Sequence, residues 1–79
     1  MTYDKFVSNT IEFVSSKAKV PSDRLDADTR LIGTGIVDSL MLTELILYVE
    51  DALDCTIEVD NFRLATFESI SSIYSAYGR

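Results

Sequence analysis

The chain has 79 residues, with 7 Lys and Arg against 13 Asp and Glu and a net charge of −6. That length holds one small domain with a modest core and leaves no room for a deep enclosed substrate pocket, so residues 1–79 read as a single domain. The charge disfavours nucleic acid and anionic membrane, while 1 cysteine and no histidine exclude an intramolecular disulfide, a histidine-based zinc site and Ser-His-Asp or Cys-His catalysis.

No apolar run approaches the roughly 20 residues of a membrane-spanning helix, and the N-terminus lacks the basic region and apolar stretch of a signal peptide. The expectation is a soluble, cytoplasmic, acidic monomer. It should make no nucleic-acid contact and no stable membrane insertion, and its partners should present a basic docking patch.

Tyr3–Ala18 reads as an amphipathic helix, with Tyr3, Phe6, Val7, Ile11, Phe13, Val14 and Ala18 inside an arc of roughly 160° at about 100° per residue. Asp4, Ser8, Glu12, Ser15 and Ser16 lie opposite. Thr2 is the expected N-cap, and Pro21 ends the segment because its ring cannot continue a helical ladder.

Residues 21–37 read as a long loop, broken by Asp, Ser, Thr and the pair Gly33 and Gly35. Loops of that length in compact domains are uncommon and often functional. Leu25, Leu31, Ile32 and Ile36 are the residues expected to pin it to the core.

Asp38 opens the second helix as its N-cap and Ser39 takes the first helical position. From Leu40 to Leu53 the helix is apolar around most of its girth. Met41, Leu45, Tyr48 and Ala52 form one stripe, with Leu42, Ile46, Val49 and Leu53 beside it, calling for contact with at least two other helices. The remaining arc carries Glu44, Glu50 and Asp51, and Leu40 and Leu47 fall among these acids. Leucines on a charged face suit a docking patch, although scattered exposed leucines are ordinary.

Residues 54–59 alternate Cys55, Ile57 and Val59 with polar residues, and with no second strand to pair they read as an extended connector. Cys55 in that setting reads as a small buried hydrophobe. Residues 60–64 suit one helical turn, and Thr66 caps a last helix predicted from Phe67 to about Ala76. The expected architecture is all-α: three main helices and a short fourth in one bundle, with a long loop between the first two.

The segment with most chemical content is Gly35-Ile36-Val37-Asp38-Ser39-Leu40. A serine in the first turn of a helix points its hydroxyl toward solvent, and the unpaired N–H groups with the positive end of the helix dipole favour an anion there. Ser39 is therefore a good place to hang a phosphate. Asp-Ser-Leu alone carries little, since Asp and Ser are common at helix starts for capping reasons.

The whole arrangement resembles the acyl and peptidyl carrier protein family. The matching stretch runs Leu31-Ile32-Gly33-Thr34-Gly35-Ile36-Val37-Asp38-Ser39-Leu40, continues through Thr43-Glu44-Leu45 and Val49-Glu50-Asp51, and reappears in Ala65-Thr66-Phe67-Glu68-Ser69-Ile70. The resemblance implies that a phosphopantetheinyl transferase, using coenzyme A and magnesium, attaches a 4′-phosphopantetheine arm to Ser39. The arm's thiol then carries an acyl or aminoacyl cargo as a thioester, which makes the chain a carrier and not an enzyme. Other implied partners are a loading ligase or acyltransferase and a downstream acceptor enzyme. It also implies transferase recognition of Asp38 and a recognition surface on the second helix comprising Leu40, Glu44, Leu47, Glu50 and Asp51.

Carriers of fatty acid synthesis usually place an acidic residue directly after Asp-Ser-Leu, where this chain has Met41. The wording around Ser39 and at Phe67-Glu68-Ser69-Ile70 is more similar to free-standing D-alanyl and other aminoacyl or peptidyl carriers. A fatty-acid or polyketide acyl carrier is the alternative within the family. Outside it stand an unmodified acidic adaptor docking through helix two and a small carboxylate-based hydrolase, which needs two facing acids in a pocket.

Overall fold

The computed structural model describes residues 2–58, 60 and 62–78. Three α-helices, α1 (Tyr3–Ala18), α2 (Ser39–Leu53) and α3 (Ile70–Tyr77), surround one core, and short 3-10 turns stand at Ser22–Arg24 and Leu64–Phe67. The bundle is all-α, and no strand occurs among the described residues.

The Thr2 hydroxyl accepts from the Lys5 N–H and starts α1 where expected. Phe6, Thr10 and Val14 repeat every four residues and are buried, so one stripe of α1 lies against the core. Thr10, the polar member of that stripe, donates its hydroxyl hydrogen to the Tyr48 hydroxyl at 3.3 Å and is thereby satisfied. Helix α1 makes the close backbone approaches to both α2 and α3. Of the two apolar stripes of α2, Met41, Leu45 and Val49 are buried, while Leu42, Ile46, Tyr48, Ala52 and Leu53 pack partly covered against the common core.

Aromatic rings fill the seams. Phe13 stacks on Tyr48 at 4.4 Å between centroids, joining α1 to α2, and Tyr3 and Phe6 meet Tyr74 at 5.2 and 5.5 Å, joining α1 to α3. Phe67 contacts Phe62 at 5.3 Å and Tyr77 at 6.1 Å. Each fully buried Leu, Ile or Phe side chain contributes about 1.5–3 kcal/mol of transfer free energy, and no disulfide is available to supplement it in a chain with 1 cysteine.

Neither α1 nor α2 ends on a glycine. Lys19 and Asp54 take the left-handed caps at φ 57° and 50°, and the Cys55 N–H closes α2 by donating to the Glu50 carbonyl at 3.0 Å. Of the expected connector, Asp54 is left-handed and residues 55–58 have no regular secondary structure, with Cys55 half-buried against the core. Val59 at its end, and Asn61 in the turn predicted over 60–64, lie outside the described residues.

The last helix begins later than predicted. Thr66 is not its cap: Leu64–Phe67 forms a 3-10 turn that drives Phe67 fully into the core, and α3 starts at Ile70. The cap is Ser69, in a reciprocal pair with Ser72: each side chain accepts from the other's backbone N–H, at 3.1 and 3.2 Å.

Candidate functional site at the start of the second helix

The long loop is tied down through its middle. Ser71 in α3 donates its N–H to the Ala27 carbonyl at 2.9 Å and its hydroxyl to Asp28 Oδ1 at 3.0 Å. The Leu31 N–H donates to the Glu68 carbonyl at 2.6 Å, and Arg30 pairs with the Glu68 carboxylate at 3.5 Å. Leu25, Leu31 and Val37 are buried, and Ile32 and Ile36 are packed partly covered against the core. These residues bear out the expected pins and add Val37 to them.

Between the buried pins Leu31 and Val37 the backbone turns back on itself, with the Val37 N–H donating to the Leu31 carbonyl at 3.2 Å. Gly33 and Gly35 make that turn at φ 85° and 86°, a region costly for any residue with a Cβ. The turn delivers Asp38 in extended conformation to the head of α2. There Asp38 Oδ1 accepts from the Met41 N–H at 2.8 Å and its carbonyl accepts from the Leu42 N–H at 2.8 Å.

Ser39 follows as the first helical residue, exposed to solvent. Met41, two positions on, is only 7% exposed and anchors the same turn in the core. The helix start thus holds an accessible hydroxyl on a frame buried behind it, with first-turn N–H groups that have no carbonyl a turn earlier in the helix. An oxygen bearing a phosphoester fits this position. Ser39 is exposed, and a helix N-terminus favours negative charge.

The expected recognition residues fall on one face with one exception. Leu40, Glu44, Leu47 and Asp51 are spaced by four, three and four residues and so form a single stripe along α2. Leu40 and Leu47 are 74% and 61% exposed, and Asp51 is exposed. Glu44 pairs with Lys17 of α1 at 3.6 Å. Glu50 is engaged elsewhere: its carboxylate Oε2 accepts from the Ile57 N–H at 2.8 Å, tying the connector back to α2. Lys17 and the half-exposed Leu64 were not singled out in the sequence, because their positions depend on how distant segments fold together.

Among the described residues no group of acids and cysteine is arranged to hold a metal ion, and no helix is long and apolar enough to cross a membrane. Comparisons with curated proteins and with solved structures found no match. The model of one protein family, described as Phosphopantetheine attachment site, matches residues 11–76, a span that includes the loop, all of α2 and nearly all of α3. The chain therefore belongs to the phosphopantetheine-binding family of acyl and peptidyl carrier domains, whose members bear a covalent 4′-phosphopantetheine arm.

Proposed function

We propose that this domain, spanning residues 1–79, is a non-catalytic carrier holding an aminoacyl or other short polar group as a thioester on an arm attached at Ser39. The observation that carries the reading is the exposed Ser39 hydroxyl on the first turn of α2, inside the segment that matches the family. When bound, the group supplies a thiol at the end of a long flexible arm.

The residues of the chain present and orient the attachment point. Asp38 holds the helix start through the Met41 N–H and offers its carboxylate to the transferase. The Ser39 oxygen forms the bond to phosphorus as the adenosine bisphosphate half of coenzyme A leaves, and the serine proton passes to the transferase. Leu40, Glu44, Leu47 and Asp51 form the surface that successive partners read, the leucines contributing apolar contact and the acids steering encounter with basic patches. Glu50 serves this surface by holding the connector against α2.

Two features support a short polar cargo. Met41 is buried, so an acidic residue at that position would carry a desolvation cost that this helix start is not built to offset. The core is occupied by Phe67 with Phe62 and Tyr77 around it. A long acyl chain gains about 0.8 kcal/mol for each methylene it buries, whereas a short polar group needs no such shelter.

Mass spectrometry after incubation with coenzyme A, magnesium and a broad-specificity transferase tests the attachment. The parent chain should gain the mass of the arm and Ser39→Ala should not, while keeping its helical spectrum and melting temperature, since one exposed hydroxyl contributes little to packing. Modified Ser39→Ala would refute the site, and an unmodified parent would leave the acidic adaptor as the better reading. For the cargo, the modified protein is loaded separately with an amino acid and with a medium-length fatty acyl group. If only the fatty acyl form is stabilised, with shifted resonances at Ile46, Leu53 or Phe67, the short polar cargo is wrong.

A further inference from the structure

A groove of about 290 Å³ opens beside the attachment point, between the C-terminal end of α1 and the N-terminal end of α2. Lys17 and Ala18 line it from α1, Gly35 and Ile36 from the loop, and Asp38, Leu40, Met41 and Glu44 from the head of α2. Asp38 and Leu40, the immediate neighbours of Ser39 on either side, are both in its wall.

The chemistry of the wall is mixed in a particular way. Lys17 of α1 and Glu44 of α2 meet at 3.6 Å, and the Lys17 ammonium also lies 5.9 Å from the Phe13 ring centroid, so a donor and an acceptor are held together in the wall. Ile36, Leu40 and Met41 supply apolar surface. Two carboxylates, Asp38 and Glu44, face one ammonium, so a wholly anionic occupant is disfavoured. The space next to Gly35 is open, with no atom of a residue beyond its chain neighbours within 4 Å of where a Cβ would stand. The volume falls just below the range of about 300–1,000 Å³ common for ligand sites, which suits part of a ligand rather than a whole one.

We infer that this groove seats the neutral part of the arm adjoining its phosphate when the arm is at rest on Ser39. The inference rests on the attachment proposed above. The arm's branched methyl groups contact Ile36, Leu40 and Met41, and its amides exchange hydrogen bonds with Lys17 and Glu44, while the phosphate stays outside at the exposed start of α2. The resting arm then lies along α1, away from Ile46, Leu53 and Phe67, and a partner that engages Leu40 and Glu44 draws it out.

The test uses isotope-labelled protein carrying an unlabelled arm, with attachment first established by mass. Isotope-filtered NOEs should connect the arm's methyl protons to the side chains of Ala18 and Ile36, which lie outside the immediate chain neighbours of Ser39. Ala18→Gln, which extends a side chain into the groove on a helix-compatible residue, should still gain the arm's mass and lose the NOEs at Ile36. NOEs confined to Asp38, Ser39 and Leu40, or directed to Ile46, Leu53 or Phe67, would overturn the groove while leaving attachment intact. If Ala18→Gln alters the helical spectrum, the parent's NOEs at Ala18 and Ile36 decide the matter alone. Failure of attachment in the parent would overturn both readings.

Discussion

Asp38 is given two roles, cap of α2 and mark for the transferase, and a pair of substitutions separates them. Asp38→Ala removes the acceptor of the Met41 N–H at 2.8 Å, a loss that typically costs about 1 kcal/mol. It also removes the negative charge nearest the helix start, since the first turn of α2 contains no acidic residue. A carboxylate in that position contributes about 0.3–1 kcal/mol, toward the low end here because Asp38 is exposed. The expected cost is about 1.3 kcal/mol, which in a domain of this size lowers the melting temperature by about 5–10 °C. Asp38→Asn keeps an oxygen acceptor and loses only the charge, so its cost should be about 0.3 kcal/mol and its shift about 2 °C. Urea unfolding followed by circular dichroism gives both values, provided the slope of the transition is unchanged. Modification by the transferase, followed by mass, should slow markedly for Asp38→Asn although it folds nearly as the parent does. Equal losses of stability for Ala and Asn would refute the hydrogen-bonded cap, and parental modification of Asp38→Asn would refute recognition of the charge.

The other predictions concern how α2 ends and what its surface meets. Asp54→Gly should raise stability by about 1 kcal/mol, because it relieves a left-handed residue at φ 50° and removes a negative charge from a helix end with no basic residue in its last turn; an unchanged or lower melting temperature would count against it. Glu50→Ala should cost about 1–3 kcal/mol by leaving the Ile57 N–H without its carboxylate acceptor, and Glu50→Gln much less; similar losses for the two would assign the effect to something other than that bond. Glu44→Lys combined with Asp51→Lys should slow loading by the cognate enzyme at low salt and less so at high salt, since exposed charges are screened over about 8 Å at physiological ionic strength. The pairing of Glu44 with Lys17 is exposed and worth at most about 1 kcal/mol, so the helical spectrum should survive, and parental loading rates at both salt concentrations would exclude this surface as the dock.

The legible parts of the fold are those whose signals are local. Both long helices start where a cap-forming residue, Thr2 or Asp38, stands directly before an apolar pattern of helical period, and both observed starts agree with that reading. Around the third helix two cap-competent residues, Thr66 and Ser69, lie three positions apart, and the local pattern points to Thr66 where the structure uses Ser69. The choice falls to tertiary contacts, since Phe67 enters the core and the Glu68 carbonyl is claimed by the Leu31 N–H of the distant loop, and the local box of Ser69 with Ser72 then closes the helix start. The left-handed caps at Lys19 and Asp54 escaped notice because no glycine marks them. At the site, the exposure of Ser39, Leu40 and Leu47 was readable from helical phase. The engagement of Glu50 by the connector and of Glu44 by α1 was not, since each depends on a segment whose position the helix itself does not determine.

The long loop shows how this division of signals bears on function. A loop of such length, left loose, would pay its ordering entropy each time a partner had to find Ser39 in one orientation. Here that ordering is completed in folding: Ala27, Asp28, Arg30 and Leu31 are bonded to Glu68 and Ser71, Leu31 and Val37 are buried, and the two glycines turn the chain between them. The residues that order the loop are therefore Glu68, just before α3, and Ser71 in its first turn, far along the sequence from Ser39. Substitutions at Glu68 or Ser71 would remove the side-chain part of that tie, the Arg30–Glu68 pair and the Ser71–Asp28 hydrogen bond, and so act on presentation of Ser39 without touching it. Their signature would be slower modification by a transferase with an unaltered chemical site, while the backbone bonds from Leu31 to Glu68 and from Ser71 to Ala27 stay in place.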